Sequence, residues 1–175
     1  MAVTSRKLLE VALGLAVAAI MSACGSDSTG PGQTLTPPPS GTLTGSPEPA
    51  QRLGYSFFSG YSAPARLVVA DVNALEDAWI EINQHITMVP SIPDVDFTQD
   101  LVVVAAMGSR SSGGFRITID SARAAGQDVD VFVTTRSPAT GCVTAAVQTS
   151  PVDVVSLARP AGAVVFVEDS ARIGC

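Results

Sequence analysis

The chain has 175 residues, with 10 Lys and Arg against 16 Asp and Glu, for a net charge of −6. Lys7 is the only lysine, and an acidic chain so poor in cations does not suit nucleic acid, whose binding rests on neutralising phosphates. Few aromatics among many Val, Ala, Thr and Gly favour strands packed by β-branched residues.

Residues 1–23 read as an export peptide. Arg6 and Lys7 form a positive start, and residues 11–20 (VALGLAVAAI) are an apolar run too short for a bilayer that needs about 20 residues. Met21-Ser22-Ala23-Cys24-Gly25 follows. Small residues before a cysteine resemble the lipobox of bacterial lipoproteins, although Met21 and Glu10 depart from the usual pattern. The resemblance implies lipidation of Cys24, which becomes the mature N-terminus. It also implies attachment to the cell envelope, at the outer membrane if the cell has one, because Gly25 rather than Asp follows the cysteine. Two or more acyl chains hold firmly where one binds reversibly.

Residues 24–50 carry that cysteine and a tether, with 11 Pro and Gly among the 26 positions from 25 to 50. Such a segment has too little apolar surface to offset its ordering entropy. Extended at ~3.1 Å per residue, it reaches about 80 Å. Without residues 1–23, 8 Arg face 15 Asp and Glu, a net charge of −7.

Residues 51–175 have the size of one domain with one core. Residues 52–58 and 65–70 read as strands around a turn at 59–64. A helix follows, with Asn73 as its expected cap and Glu76 three residues on. Leu75, Ala78, Trp79, Ile82 and Ile86 form one apolar stripe, with Trp79 as its core anchor. Pro90 and Pro93 rule out further helix. Residues 101–106 (LVVVAA) are a strand of the kind buried on both faces, and Phe115, Ile117 and Ile119 alternate with polar residues,. With Gly108, Gly113 and Gly114 between them, these two stretches predict a hairpin. Val129, Val131 and Val133 mark another strand over 128–135, joined to the preceding one by a turn at 121–127. Residues 142–148 and 152–157 read as weaker strands divided by Pro151, and 163–167 as the last. Seven or eight strands with one helix describe an α+β domain, mainly an antiparallel sheet that could curl into a small barrel with the helix packed on it.

Cys142 and Cys175 remain once Cys24 is lipidated. In an oxidising compartment they suit a disulfide, the alternative being two free thiols. Closing about 34 residues would contribute roughly 3.5–4 kcal/mol in a chain-entropy account.

Little points to catalysis. His85 is the only histidine, which excludes a multi-histidine metal site, and the cysteines lack C-x-x-C spacing. No serine sits in a G-x-S-x-G elbow, and no lysine remains for phosphate or Schiff-base chemistry. Asp94 with Asp96, and Asp128 with Asp130, are carboxylate pairs of the kind glycosidases use, but at alternate positions of extended chain they read as solvated faces. The expectation is no enzyme, no metal and no cofactor. The polar stretch Ser109, Arg110, Ser111, Ser112, Gly113 and Gly114 reads either as a plain turn or as a presented loop, with Arg110 at its tip, for a protein partner.

From about Gly54 to Asp169 the pattern resembles the PrcB C-terminal domain family. The resemblance rests on Trp79 in a short helix, Asp96-Phe97 before an apolar strand, Gly108 followed by Ser112-Gly113-Gly114-Phe115, and the segment at Pro151. Ser112 and Phe115 stand where the family often has Thr and Tyr. The resemblance implies a non-catalytic accessory subunit that binds a protein partner, and the family's namesake serves a surface protease complex. A fainter similarity, to small β-domain peptidase inhibitors, would make residues 109–115 an inhibitory loop. The sequence leaves the oligomeric state open.

Overall fold

The computed structural model describes residues 45–175. The expected export peptide, Cys24 and most of the expected tether lie outside the described residues. Eight strands and one helix follow in the order β1 (Pro47–Glu48), β2 (Ala50–Ser56), β3 (Ala65–Val69), α1 (Val72–Ile82), β4 (Asp100–Ala106), β5 (Arg116–Ala125), β6 (Asp128–Pro138), β7 (Val152–Ala158) and β8 (Val164–Ile173). They build two four-stranded sheets, β1-β5-β6-β8 and β2-β7-β4-β3. All pairings are antiparallel except β6 with β8. The α+β class holds, as two packed sheets and a helix rather than a closed barrel. Pairing begins at Pro47, ahead of the expected boundary at residue 51.

Side-chain alternation explains the layers. Leu101, Val103 and Ala105 of β4 pack with Val155 and Leu157 of β7 against Ile117, Ile119, Val131 and Val133 of the other sheet. Val102, Val104 and Ala106, with Val152 and Val154, face Leu75, Ala78, Trp79 and Ile82 of α1. The second sheet is thus covered on both sides, which is why LVVVAA is continuously apolar.

This burial overturns the expected hairpin. β4 lies between β7 and β3, whereas β5 belongs to the other sheet, so residues 107–115 cross from sheet to sheet. A strand buried on both faces needs neighbours at both edges, and those come from β3 and from β7. The latter is therefore a central, almost wholly buried strand and not a weak one. β2 and β3 do not pair with each other; they edge the same sheet on opposite sides. Residues 142–148 form no strand. The β5–β6 hairpin is as expected but tighter, turning at Gly126, whose φ is +73°.

The helix cap also differs. Asp71, not Asn73, accepts a hydrogen bond from the Ala74 amide at 2.9 Å. Asn83 closes the other end, its side-chain amide donating to the Trp79 carbonyl at 2.9 Å, so Ile86 falls beyond the helix. Trp79 is buried as expected. Its indole donates to the Pro90 carbonyl at 3.0 Å, and its ring lies so close to Gly54 that a Cβ there would meet it at 3.2 Å.

One buried carboxylate joins the sheets. Asp153 of β7 has no exposed surface and accepts from the Arg52 guanidinium of β2 at 2.8 and 2.9 Å. It also accepts from the Ile119 amide of β5 at 2.7 Å, where a bulge interrupts the β5–β6 register. The pairing holds the Arg52 guanidinium above its ordinary pKa. Asp153→Ala leaves the Ile119 amide buried without an acceptor, and should lower the unfolding free energy by about 3 kcal/mol. Arg52→Ala strands the carboxylate and should cost at least as much. Urea denaturation of both variants, read as a shift in midpoint at constant slope, checks this.

Candidate functional site

The crossing segment is tied to its surroundings rather than free. Gly108 takes φ +74°, and the chain at residues 63–64 passes directly over it, so that a Cβ would lie 2.7 Å from the Ala63 carbonyl carbon. The Ser109 amide donates to the Ser62 carbonyl at 3.1 Å. Arg110 and Thr149 exchange backbone bonds of 2.7 and 3.0 Å, and the Gly113 amide donates to Ala145 at 2.9 Å. The irregular stretch 142–150 thus works as a strap beneath the loop.

Arg110 does not stand at a tip. Its guanidinium donates back to the Met107 carbonyl at 2.8 Å and lies 5.7 Å from the centre of the Phe115 ring, a cation–π arrangement. Ser109, Ser111 and Gly114 are exposed, Ser112 is half-buried and Gly113 is buried. The six expected loop residues therefore differ in access, and Ser109 is the one that opens on a cavity.

That cavity is a cleft of about 480 Å³ lined by Phe58, Ser59, Gly60, Ser62, His85, Ser109, Gln148, Thr149 and Ser150. Four separate stretches build it. Its floor is fixed by Ser59, whose hydroxyl lies 2.8 Å from the Ser150 carbonyl and 3.0 Å from the Ser150 hydroxyl. The Ser150 hydroxyl in turn donates to the Tyr61 carbonyl. The Gly60 amide donates to Glu81 at 2.8 Å, docking this loop on the end of α1. The accessible wall comprises Phe58, Ser62, His85, Ser109 and Gln148, with the Gln148 amide 3.3 Å from the Ser109 hydroxyl. No carboxylate lines the cleft, so His85 has no acid there to orient it as a base would require. Hydroxyls, an amide, an imidazole and one aromatic face suit recognition of neutral peptide groups.

Of these residues the sequence singled out only Ser109 as a partner-binding candidate; His85 was noted without a role, and Phe58, Ser62, Gln148 and Ser150 were not singled out. Their only signal was the polar run before Pro151, because the cleft is assembled from residues far apart in the chain. The other expected sites lie elsewhere. Asp96 accepts from the Thr98 hydroxyl at 2.7 Å and amide at 3.0 Å, bonds that lower its pKa and shape the turn before β4. Asp128 accepts from the Ala163 amide at 2.7 Å, fixing the chain just before β8. Among the described residues no cluster of His, Cys, Asp and Glu could hold a metal, and no helix is long and apolar enough to cross a membrane. Cys142 and Cys175 are joined, with Cα atoms 5.4 Å apart.

Beside the cleft, burial first and then the Glu81 charge push the Tyr61 phenol up to about 12 from an ordinary 10.0. A raised folded value means that the neutral phenol's contribution is complete below pH 10 and is lost as pH rises toward 12. Unfolding free energy should fall by about 1 kcal/mol across that window, an amount reduced by the ring's partial exposure. Tyr61→Phe should flatten the decline in urea titrations at successive pH values.

Residues 101–158 match the family described as PrcB C-terminal, a shorter span than the resemblance traced from 54 to 169. The span runs from the second residue of β4 to the end of β7 and contains the crossing segment, Ser109 and the strap. No curated protein and no solved structure matches the chain. The likeness to the PrcB C-terminal family thus covers about a third of the chain's length, from β4 to β7.

Proposed function

We propose that the chain is a lipid-anchored, non-catalytic accessory subunit that binds a protein partner within a surface protease complex. The PrcB C-terminal match over residues 101–158 carries this reading. Attachment through a lipid on Cys24 would hold the domain at the envelope, at the outer membrane of a two-membrane cell. Partner contact is assigned to the mouth of the cleft, where Ser109 meets Phe58, Ser62, His85 and Gln148. Support comes from the combination of an exposed aromatic with neutral hydrogen-bonding groups on a tied-down frame. Preformed surfaces lose little conformational entropy on binding. No cofactor enters this role.

The test is capture of envelope proteins by the full lipidated chain, with peptidase activity assayed on the captured material. An active co-purifying peptidase is the expected result. A captured but inactive peptidase would favour the inhibitor role for residues 109–115, and recovery of no peptidase across salt and detergent conditions would exclude both. Ser109→Arg fills the cleft mouth from an exposed position. It should cut capture by about tenfold or more, as loss of a central contact does, while the thermal midpoint stays unchanged. Undiminished capture would remove the cleft from the interface.

A further inference from the structure

Among the described residues β8 is an edge strand of ten residues, paired on one side only, with β6. The hydrogen bonds identify which of its backbone groups face outward. The Val129 amide donates to the Ala163 carbonyl, and the Ala139 amide, ten residues on, donates to the Ile173 carbonyl, both at 2.9 Å. In a parallel ladder this directs the peptide groups of odd-numbered residues in 163–173 toward β6. Those of Val164, Phe166, Glu168, Ser170 and Arg172 then point to the free edge. The register runs without a bulge from Val164 to Ile173, and the strand contains no proline. Two of the usual devices that blunt an edge are therefore missing.

We propose that this edge is a self-association surface, on which β8 pairs antiparallel with β8 of a second copy about a two-fold axis at Ser170. Charge selects both the occupant and the register. Centred on Ser170, each Glu168 lies opposite Arg172 of the other copy, twice in one interface. The same register sets Val167 opposite Ile173 on the outer face, and both are exposed in the single chain, at 36% and 40%. Shifting the centre by one residue toward the N-terminus puts Asp169 opposite Asp169. Centring on Glu168 or on Arg172 faces like charges directly, which is unfavourable across strands. A self-complementary patch of this kind is what a two-fold interface requires.

The partners these groups have in the single chain allow the pairing. Glu168 bonds Arg66 of β3 at 2.5 and 2.9 Å while its side chain remains 46% exposed. It therefore keeps room for a second guanidinium. Arg172 donates to the Thr140 hydroxyl at 3.1 Å. The Ser170 amide donates to the Asp169 carboxylate at 2.8 Å, a bond exchanged for one to the opposing Ser170 carbonyl while the carboxylate returns to water. The result is one eight-stranded sheet across two copies, and it leaves the cleft at Ser109 out of the contact.

The test uses the full chain in envelope membranes carrying Ser170→Cys, treated with a short bismaleimide and read on a non-reducing gel. Hydrogen-bonded antiparallel partners lie about 5.5 Å apart at Cα, so a species of twice the chain's mass is expected. Ile80→Cys, exposed on α1, serves as the control and should give none. Adding Glu168→Arg or Arg172→Glu to the Ser170→Cys chain should each reduce the dimer by about tenfold, because both cross-strand pairs become like-charged. Co-expressing those two chains restores opposite charges in both pairs and should restore the cross-link, which a folding defect would not. The proposal is overturned if Ser170→Cys cross-links no better than Ile80→Cys, if it cross-links to a different protein instead, or if the charge variants change nothing.

Discussion

The Asp153 carboxylate is the constraint on which the two-sheet arrangement depends. It sits at zero exposure in an inner strand of one sheet, and its oxygens accept from a guanidinium in that sheet and a backbone amide in the other. A bulge in β5 brings the Ile119 amide to it, since at a bulge the ladder is interrupted and an N–H is left without its usual partner. The apolar contacts between the sheets would tolerate small slides. A charged group with fixed hydrogen-bond directions does not, so it sets the register of one sheet upon the other. Replacement by an apolar residue of similar volume would need a simultaneous change at Arg52 and a new partner for the amide.

How much of this was legible in the sequence follows from the range of each interaction. The helix stripe up to Ile82, the alternation of β6 and the two-faced burial of β4 are written in residues close together and match the structure, whereas Ile86 lies beyond the helix. The cap was misplaced by two positions because Asp71 and Asn73 are both good caps, and only the backbone direction chooses between them. The hairpin at 101–119 failed for a deeper reason. Strand, glycines and strand describe a hairpin and a sheet crossing equally well, and the deciding fact is the insertion of β7, which begins 46 residues after β4 ends. Asp153 inside VDVVSLA gave one clue. A carboxylate in a run so apolar demands a cation within reach, and Arg52 in the first long strand was a candidate.

The candidate site was half legible for the same reason. Ser109 announced itself by its glycine-bearing, polar neighbourhood. Ser59, Ser62 and Ser150 look like ordinary turn residues until the fold draws three turns to one end of the second sheet. Polar loops tied by mutual backbone bonds present side chains without the ordering cost of a free loop. The strap at 142–150 supplies that fixity for residues 109–113. Its own far end is held by the Cys142–Cys175 link, so the C-terminus and the cleft belong to one connected framework.

The insertion of β7 between β2 and β4 also orders events in time. Strands at residues 50–56 and 100–106 have no shared neighbour until residues 152–158 arrive. Pairing across such separations is slow, because long loops must close before any contact rewards them. In a chain emerging N-terminus first, the second sheet would therefore lack its pairing between β2 and β4 until residues 152–158 had appeared.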